Sequence, residues 1–137
     1  MRKIQDENKT RRRSLQRETI WNFLKDRKDH PTADVIYAHV RESLPHISLG
    51  TVYRNLTLLE EMGYVATIDV GDGVAHFDPN SKPHSHFSCT VCGSVMDVPA
   101  VEIDPLWENT SVVPGKVQGI SILFSGCCNH CLSGNRV

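Results

Sequence analysis

The stretch from residue 48 to residue 78 reads SLGTVYRNLTLLEEMGYVATIDVGDGVAHFD, and this stretch decides the fold. Ser48 can cap a helix over residues 49–62, which Gly63 can end. Two β-prone runs follow at residues 64–70 and 74–77, and the glycines of the intervening Gly71-Asp72-Gly73 permit the positive φ of a hairpin turn. A capped helix followed directly by a hairpin is typical of the second half of a winged helix.

The residues before this stretch predict two more helices. Apolar side chains recur at helical intervals from residue 14 to residue 28, and the pattern breaks at His30-Pro31. Thr32 can cap a second helix that ends near Leu44, because the residue before a proline resists the helical conformation. Three helices and then a hairpin is the winged helix-turn-helix order, which we expect to form a domain over residues 1–78.

The character of the chain changes after this domain. Residues 79–83 have the composition of a hinge, 12 of the 15 basic residues precede residue 79, and all five cysteines follow it. Strands are predicted at about residues 86–91, 94–98 and 116–125, around a short helix near 101–109. The sequence therefore predicts an α+β protein in which residues 84–137 form a second, α/β domain.

Composition bounds the function classes. The 137 residues are 39% hydrophobic, which is typical of a globular protein. No apolar run approaches the roughly 20 residues of a membrane span, and the polar start is unlike a signal peptide. We therefore expect a cytoplasmic protein without a membrane partner. Residues 1–28 hold ten basic and four acidic side chains, so this end can meet phosphates, although a solvated tail has the same composition.

Four cysteines form the strongest motif. Cys89-x-x-Cys92 and Cys128-x-x-Cys131 are short pairs, each able to form a turn that aims two thiolates at one point. Four thiolates in a tetrahedron suit Zn²⁺, so we predict a closed structural zinc site. Unrelated thiols and an iron–sulfur cluster are the alternatives. Cys127 could replace Cys128 as a ligand, but we interpret it as a buried thiol.

A second group of possible metal ligands surrounds His84-x-His86. In a strand, His84 and His86 point to one face while Cys89 points to the other, which implies two separate metal sites. A solvated or structural role is equally common for a lone His-x-His pair, but the nearby carboxylates of Asp78 and Asp97 favour a metal site. Nitrogen and oxygen donors without thiolate suit Fe²⁺ or Mn²⁺, and Zn²⁺ is also compatible.

The third helix carries the candidate nucleic-acid contacts. Its first turns expose polar groups able to reach phosphates and base edges in a major groove, and the basic first helix can add a phosphate contact. The predicted contacts are Arg13, Ser48, Thr51, Tyr53, Arg54 and Asn55. An ordinary bundle helix with Val52 and Leu56 in the core is the alternative, and the two are compatible because one face can pack while the other reads DNA.

Together these motifs resemble the ferric uptake regulator superfamily. The matching strings are His30-Pro31-Thr32-Ala33-Asp34, Ser48-Leu49-Gly50-Thr51-Val52-Tyr53-Arg54-Asn55-Leu56, His84-x-His86-Phe87-x-Cys89-x-x-Cys92-Gly93 and Cys128-x-x-Cys131. The resemblance implies a homodimeric repressor that binds double-stranded operator DNA. It also implies that the second domain dimerises and that a regulatory metal is held by His30, Asp78, His84, His86 and Asp97.

Asp78 resembles the peroxide-sensing branch of the superfamily, since iron-sensing relatives tend to carry Glu there. Those relatives use bound Fe²⁺ to turn hydrogen peroxide into a local oxidant that modifies a ligand histidine, which makes His30 and His84 the oxidation-sensitive candidates. Regulation by metal concentration alone, as in iron-uptake or zinc-uptake control, is the alternative. The resemblance implies no enzyme and no small-molecule substrate.

Two other function classes compete with this interpretation. A metalloenzyme could use the His and Asp cluster, but the chain has little room for a substrate domain and no nucleophile motif such as Gly-x-Ser-x-Gly. A zinc-ribbon or metal-buffering module would leave the winged helix without a role. Metal-dependent, sequence-specific retention of DNA separates a regulator from both.

Overall fold

Three helices and a β-hairpin make up the N-terminal part of the computed structural model, which describes residues 2–80, 82, 84–99, 112–117, 120 and 122–134. The chain divides into two compact units, Met1–Ser81 and Lys82–Val137. The N-terminal unit consists of α1 (Arg2–Leu24), α2 (Ala33–Val40), α3 (Leu49–Glu61), β1 (Ala66–Asp69) and β2 (Ala75–Asp78). This is the winged-helix order that the sequence predicts.

Apolar side chains from all three helices and the hairpin form one core in this unit. The buried members are Ile20, Leu24, Ala33, Ile36, Val40, Ile47, Val52, Leu56, Leu59, Val65 and Phe77. Both predicted caps are confirmed, since the Thr32 side chain accepts a hydrogen bond from the Val35 amide and the Ser48 side chain accepts one from the Thr51 amide. Val52 and Leu56 are fully buried, so one face of α3 packs as expected.

The predicted bounds of the first two helices are wrong. Helix α1 begins at Arg2 rather than near residue 14, because its first half holds Lys, Arg, Gln and Glu, which favour helix, and no Gly or Pro. It ends at Leu24, four residues early. Helix α2 ends at Val40 rather than near Leu44, since the amides of Glu42 and Ser43 bond three residues back and tighten the last turn. No helix among the described residues is both long enough and apolar enough to cross a membrane.

The hairpin has the turn that its glycines predict. Strands β1 and β2 pair antiparallel with Ala66 opposite Asp78 and Asp69 opposite Ala75. Gly71 and Gly73 have φ of 84° and 79°, a conformation that costs glycine little and other residues more. The turn is thereby held at the end of a short two-stranded ribbon.

A three-stranded sheet and a short helix form the described part of the C-terminal unit. Its elements are β3 (Ser85–Cys89), β4 (Val95–Val98), β5 (Leu123–Gly126) and α4 (Asn129–Leu132). The strand order is β4-β3-β5, with β4 antiparallel and β5 parallel to β3. The predicted strand over 116–125 is wrong in extent, since the described residues before Leu123 are not strand. Helix α4 was not predicted from the sequence, and the helix predicted near 101–109 lies outside the described residues.

Candidate metal centres and nucleic-acid interface

Four cysteine sulfurs converge in the C-terminal unit. Cys89 is the last residue of β3, and Cys92 lies in the turn to β4. Cys128 is the N-cap residue of α4, and Cys131 lies within that helix. The parallel pairing of β3 with β5 places Gly126 opposite Cys89, and this brings the second cysteine pair beside the first. All four sulfurs lie within 4.8 Å of one another.

The spacing of the sulfurs fits a zinc ion. The Sγ atoms of Cys89 and Cys131 are 3.9 Å apart, as are those of Cys92 and Cys128. A tetrahedron of sulfurs about 2.3 Å from Zn²⁺ has edges of about 3.8 Å. The donor set and its geometry therefore match a closed tetrahedral zinc site.

The cysteine thiols of this cluster differ in pKa. Backbone N–H groups of Cys92 and Cys128 donate to the Cys89 sulfur and lower the pKa of its thiol to about 6. Burial, together with hydrogen bonding of the Cys131 thiol to neighbouring cysteines, raises the pKa of Cys131 to about 12. Four thiolates this close repel one another, so only a central cation allows all of them to ionise.

Cys127 stands apart from this group. Its sulfur lies 3.8 Å from the carbonyl oxygen of Cys128, and it is half-buried rather than buried. The sulfur that joins the other three is that of Cys128. Of the two adjacent thiols, the structure therefore brings Cys128 to the cluster.

In the N-terminal unit, two of the predicted ligands form a buried pair. His30 Nε2 lies 3.3 Å from Asp78 Oδ2, and the two side chains are only 1% and 2% exposed. The Asp78 carboxylate also accepts a hydrogen bond from the Asn80 amide. His30 has a φ of 51°, the left-handed conformation that costs a non-glycine residue about 1–2 kcal/mol. Such strain is kept where a side chain must be aimed at one place.

In the C-terminal unit, three further predicted ligands converge. Asp97 lies directly opposite His86 in the β3–β4 register, so the two side chains share a face. Asp97 Oδ1 is 3.0 Å from His84 Nε2 and 3.6 Å from His86 Nε2. The Nδ1–H of His84 donates to the Lys82 carbonyl, which in a neutral ring leaves the lone pair on Nε2, the nitrogen nearest to Asp97. Two imidazoles and one carboxylate on one face are a donor set typical of non-haem iron sites.

The predicted nucleic-acid contacts lie on α3 and α1. A chain of hydrogen bonds orders the start of α3: the Ser48 and Thr51 hydroxyls are 2.9 Å apart, and the Arg54 guanidinium donates to the Thr51 hydroxyl. The Asn55 amide donates to the Thr51 carbonyl. Tyr53 is 45% exposed and shares the solvent side of the helix.

A cleft of about 580 Å³ separates the middle of α1 from α3. Its lining is basic on the α1 side and polar on the α3 side. The lining residues are Lys9, Arg12, Arg13, Gln16, Arg17, Thr51, Arg54, Asn55 and Leu58. Five cations and no carboxylate line the cleft, so it is a candidate for a phosphate backbone.

Most of the α1 side of this cleft is absent from the predicted DNA contacts. Arg13 is among them but Lys9, Arg12 and Arg17 are not, because the sequence pattern places the start of the helix at residue 14. The signal was present, since basic residues at 9, 12, 13 and 17 share one face of a helix that extends back to Arg2. The spacing of basic residues predicts this helix face, whereas the spacing of apolar residues does not.

The four histidines outside the predicted ligand set differ in their surroundings. His39 stacks on Phe23, with ring centroids 4.2 Å apart, while His46 and His130 are exposed. His76 is buried and bonds to both the Asp72 carboxylate and the His30 carbonyl. The hydrogen bond from His76 holds the pKa of Asp72 below its usual range.

The chain is similar to known proteins both in sequence and in structure. The model of the ferric uptake regulator family matches residues 8–116. The peroxide-responsive repressor PerR of Staphylococcus epidermidis is 36% identical over 117 residues, which are 85% of this chain and 78% of that protein. The peroxide operon regulator of Bacillus subtilis is 33% identical over 117 residues, which are 85% and 81% of the two chains. The crystal structure of the Campylobacter jejuni peroxide stress regulator superposes with a TM-score of 0.70 at 27% identity, over 96% of this chain and 98% of that chain.

Proposed function

This chain belongs to the ferric uptake regulator family, and from that premise we propose that it is a metal-dependent DNA-binding repressor that senses hydrogen peroxide. The observation that carries the proposal is the convergence of His84, which precedes β3, and His86 of β3 on the Asp97 carboxylate of β4. These donors suit Fe²⁺ or Mn²⁺, and Fe²⁺ is the metal that reacts with peroxide. The relatives named for a peroxide response support the same function.

We assign one structural and one regulatory metal. Cys89, Cys92, Cys128 and Cys131 hold Zn²⁺, since their sulfur spacing fits a tetrahedron. In the proposal, His30 and Asp78 bind the same Fe²⁺ or Mn²⁺ as the three donors of the C-terminal unit. In the proposal, two ligands come from the N-terminal unit and three from the C-terminal unit, so the bound ion would join the DNA-binding unit to the other unit. Metal binding would thereby be linked to DNA binding.

The partner in this proposal is operator DNA, bound by a homodimer. Helix α3 presents its exposed polar side to the major groove, and the cations of α1 neutralise the phosphate backbone. Exposed apolar side chains on the sheet of the C-terminal unit support dimerisation, since Leu123, Phe124 and Met96 are 40%, 41% and 37% exposed. No enzymatic turnover is part of the proposal, and the site of action is the cytoplasm.

Peroxide is expected to release DNA from the iron form and not from the manganese form. Fe²⁺ held by these ligands would supply the redox chemistry by which hydrogen peroxide transfers one oxygen atom to the ring of His30 or His84, the other oxygen leaving as water. The oxidised ring would ligate the metal poorly. The measurement is retention of a DNA duplex selected from a random pool by the Mn²⁺-loaded protein, before and after peroxide. Mass spectrometry of the His30 and His84 peptides accompanies it.

The manganese form is the matched control, because the ligands and the DNA are the same and only the reactivity of the metal differs. Retention that follows metal concentration alone, with no oxygen gained by either peptide, would sink the peroxide assignment. The chain would then be a regulator that responds to metal supply.

Removing two α1 cations is expected to weaken DNA binding and lower its salt dependence. Each phosphate contact adds about 0.9 to the slope of log affinity against log salt concentration. Arg12→Ala with Arg13→Ala should therefore lower the slope by about 2 when both residues meet phosphates. Lys25→Ala with Lys28→Ala is the matched control, since these exposed cations do not line the cleft. Equal slopes for the two double variants would show that the cleft does not hold DNA.

A further inference from the structure

His76 is a buried side chain that the proposed function leaves without a role. It lies on β2 between two groups that can only accept hydrogen bonds. Its Nδ1 is 3.0 Å from the carbonyl oxygen of His30, and its Nε2 is 2.7 Å from Asp72 Oδ2. A carbonyl oxygen and a carboxylate oxygen both accept hydrogen bonds, so the ring nitrogens of His76 are the donors available to them.

From this geometry we propose that His76 is a positioning residue that holds His30 in its left-handed conformation and ties it to the hairpin turn through Asp72. The inference rests on the proposed function to the extent that His30 is a metal ligand there. It concerns only residues of the N-terminal unit, and His76 itself ligates nothing.

The backbone around His30 shows why a tie is needed. His30 has a φ of 51°, which an unconstrained histidine seldom adopts. The following residues are held to β2 by the bond from the Phe77 amide to the Pro31 carbonyl and by a β-bridge between Thr32 and His76. The His30 carbonyl itself accepts from the His76 ring. The hydrogen bond from His76 therefore restrains the backbone of the strained residue, His30, directly.

The other end of the tie is the turn of the hairpin. One oxygen of Asp72 accepts from the Val74 amide and shapes the turn, while the other accepts from His76. One carboxylate therefore serves both the turn and the ring. A movement of the His30 backbone, such as release of its metal would allow, reaches the turn through two hydrogen bonds.

Two substitutions of His76 separate the two bonds. In His76→Asn the amide nitrogen takes the place of Nδ1, so the bond to His30 is kept and the bond to Asp72 is lost. In His76→Gln the longer side chain puts its amide near the place of Nε2, so the opposite bond is kept. Groups that orient a metal ligand typically contribute about 10-fold to 100-fold in metal affinity. We expect His76→Gln to lower Mn²⁺ affinity at least about tenfold, and His76→Asn to stay within about threefold of the unsubstituted chain.

The hydrogen bond from His76 to Asp72 is tested separately, by hydrogen exchange in the hairpin turn. Mn²⁺ is expected to slow hydrogen exchange at the Val74 amide in the unsubstituted chain, and this slowing should be lost in His76→Asn and in Asp72→Ala. Asp69→Ala is the matched control, because Asp69 also caps the turn by accepting from the Gly71 amide but has no histidine partner. In the metal-free protein, His76→Gln should speed exchange at the Phe77 amide.

Zinc content and the melting temperature show that each variant is folded. Equal Mn²⁺ affinities for His76→Gln and the unsubstituted chain would overturn the proposal, as would an equal loss in the Asn and Gln variants, which indicates packing alone. Slowing at Val74 that persists in Asp72→Ala would overturn the tie to the turn. If the chain binds Mn²⁺ yet never retains DNA, the proposed function fails while the affinities still decide the role of His76.

Discussion

Replacing Cys131 with serine is expected to release the zinc ion and to abolish the cooperative thermal transition of the C-terminal unit. The cysteine cluster makes up most of the described core of this unit. Its buried members are Cys89, Cys128 and Cys131, packed with Phe87 and Cys127, and Val95 is the other buried apolar side chain described there. The binding free energy of a structural zinc ion is about as large as the whole stability of a small domain. Loss of one ligand therefore removes most of what holds the unit together.

The measurement for this variant is zinc content together with thermal melting followed by circular dichroism. Cys127→Ser is the matched control, because it changes the adjacent thiol outside the four-sulfur group. The control should keep its zinc and melt within about 4 °C of the unsubstituted chain, which is the shift from a change of about 1 kcal/mol. A Cys131→Ser protein that retains zinc and melts like the control would rule out the proposed ligand set.

Replacing Asp97 with alanine is expected to lower Mn²⁺ affinity by at least about 100-fold, more than the loss typical of groups that only orient a ligand. Its carboxylate is the group toward which both His84 and His86 point, so its removal takes away the only charged donor in that set of three. Metal-dependent retention of DNA should fall with it, because metal binding and DNA binding are linked in the proposed function. Zinc content should not change.

The affinity is measured by titration with Mn²⁺, and DNA retention is measured at a fixed, low metal concentration. Asp69→Ala serves as the control, as an exposed strand aspartate outside the group of possible ligands. Raising the Mn²⁺ concentration should restore DNA retention by the Asp97 variant, since the substitution leaves α3, the helix that the proposed function places in the major groove, unchanged. Unchanged Mn²⁺ affinity would remove Asp97 from the site and leave the two histidines without their carboxylate.

Local signals in the sequence predicted the elements well where neighbours along the chain decide the structure. The caps at Thr32 and Ser48 and the two glycines of the hairpin turn are satisfied by groups within a few residues. Each Cys-x-x-Cys pair is likewise local, because one turn suffices to direct both sulfurs. Element order and the two candidate metal sites follow from such signals, whereas α1 was cut short because apolar periodicity fades in its basic half.

The chemistry that each residue can supply follows from the residue types alone: thiolates for zinc, imidazoles and carboxylates for a harder metal, and cations for phosphate. Which of these residues come into contact depends on the folded chain. The parallel pairing of β3 with β5 selects Cys128 over Cys127, the β3–β4 register sets Asp97 opposite His86, and the packing of helices places the α1 cations across a cleft from Arg54. These contacts depend on strand pairing and burial between segments that are distant in the sequence, and no short-range pattern of residues encodes such pairing.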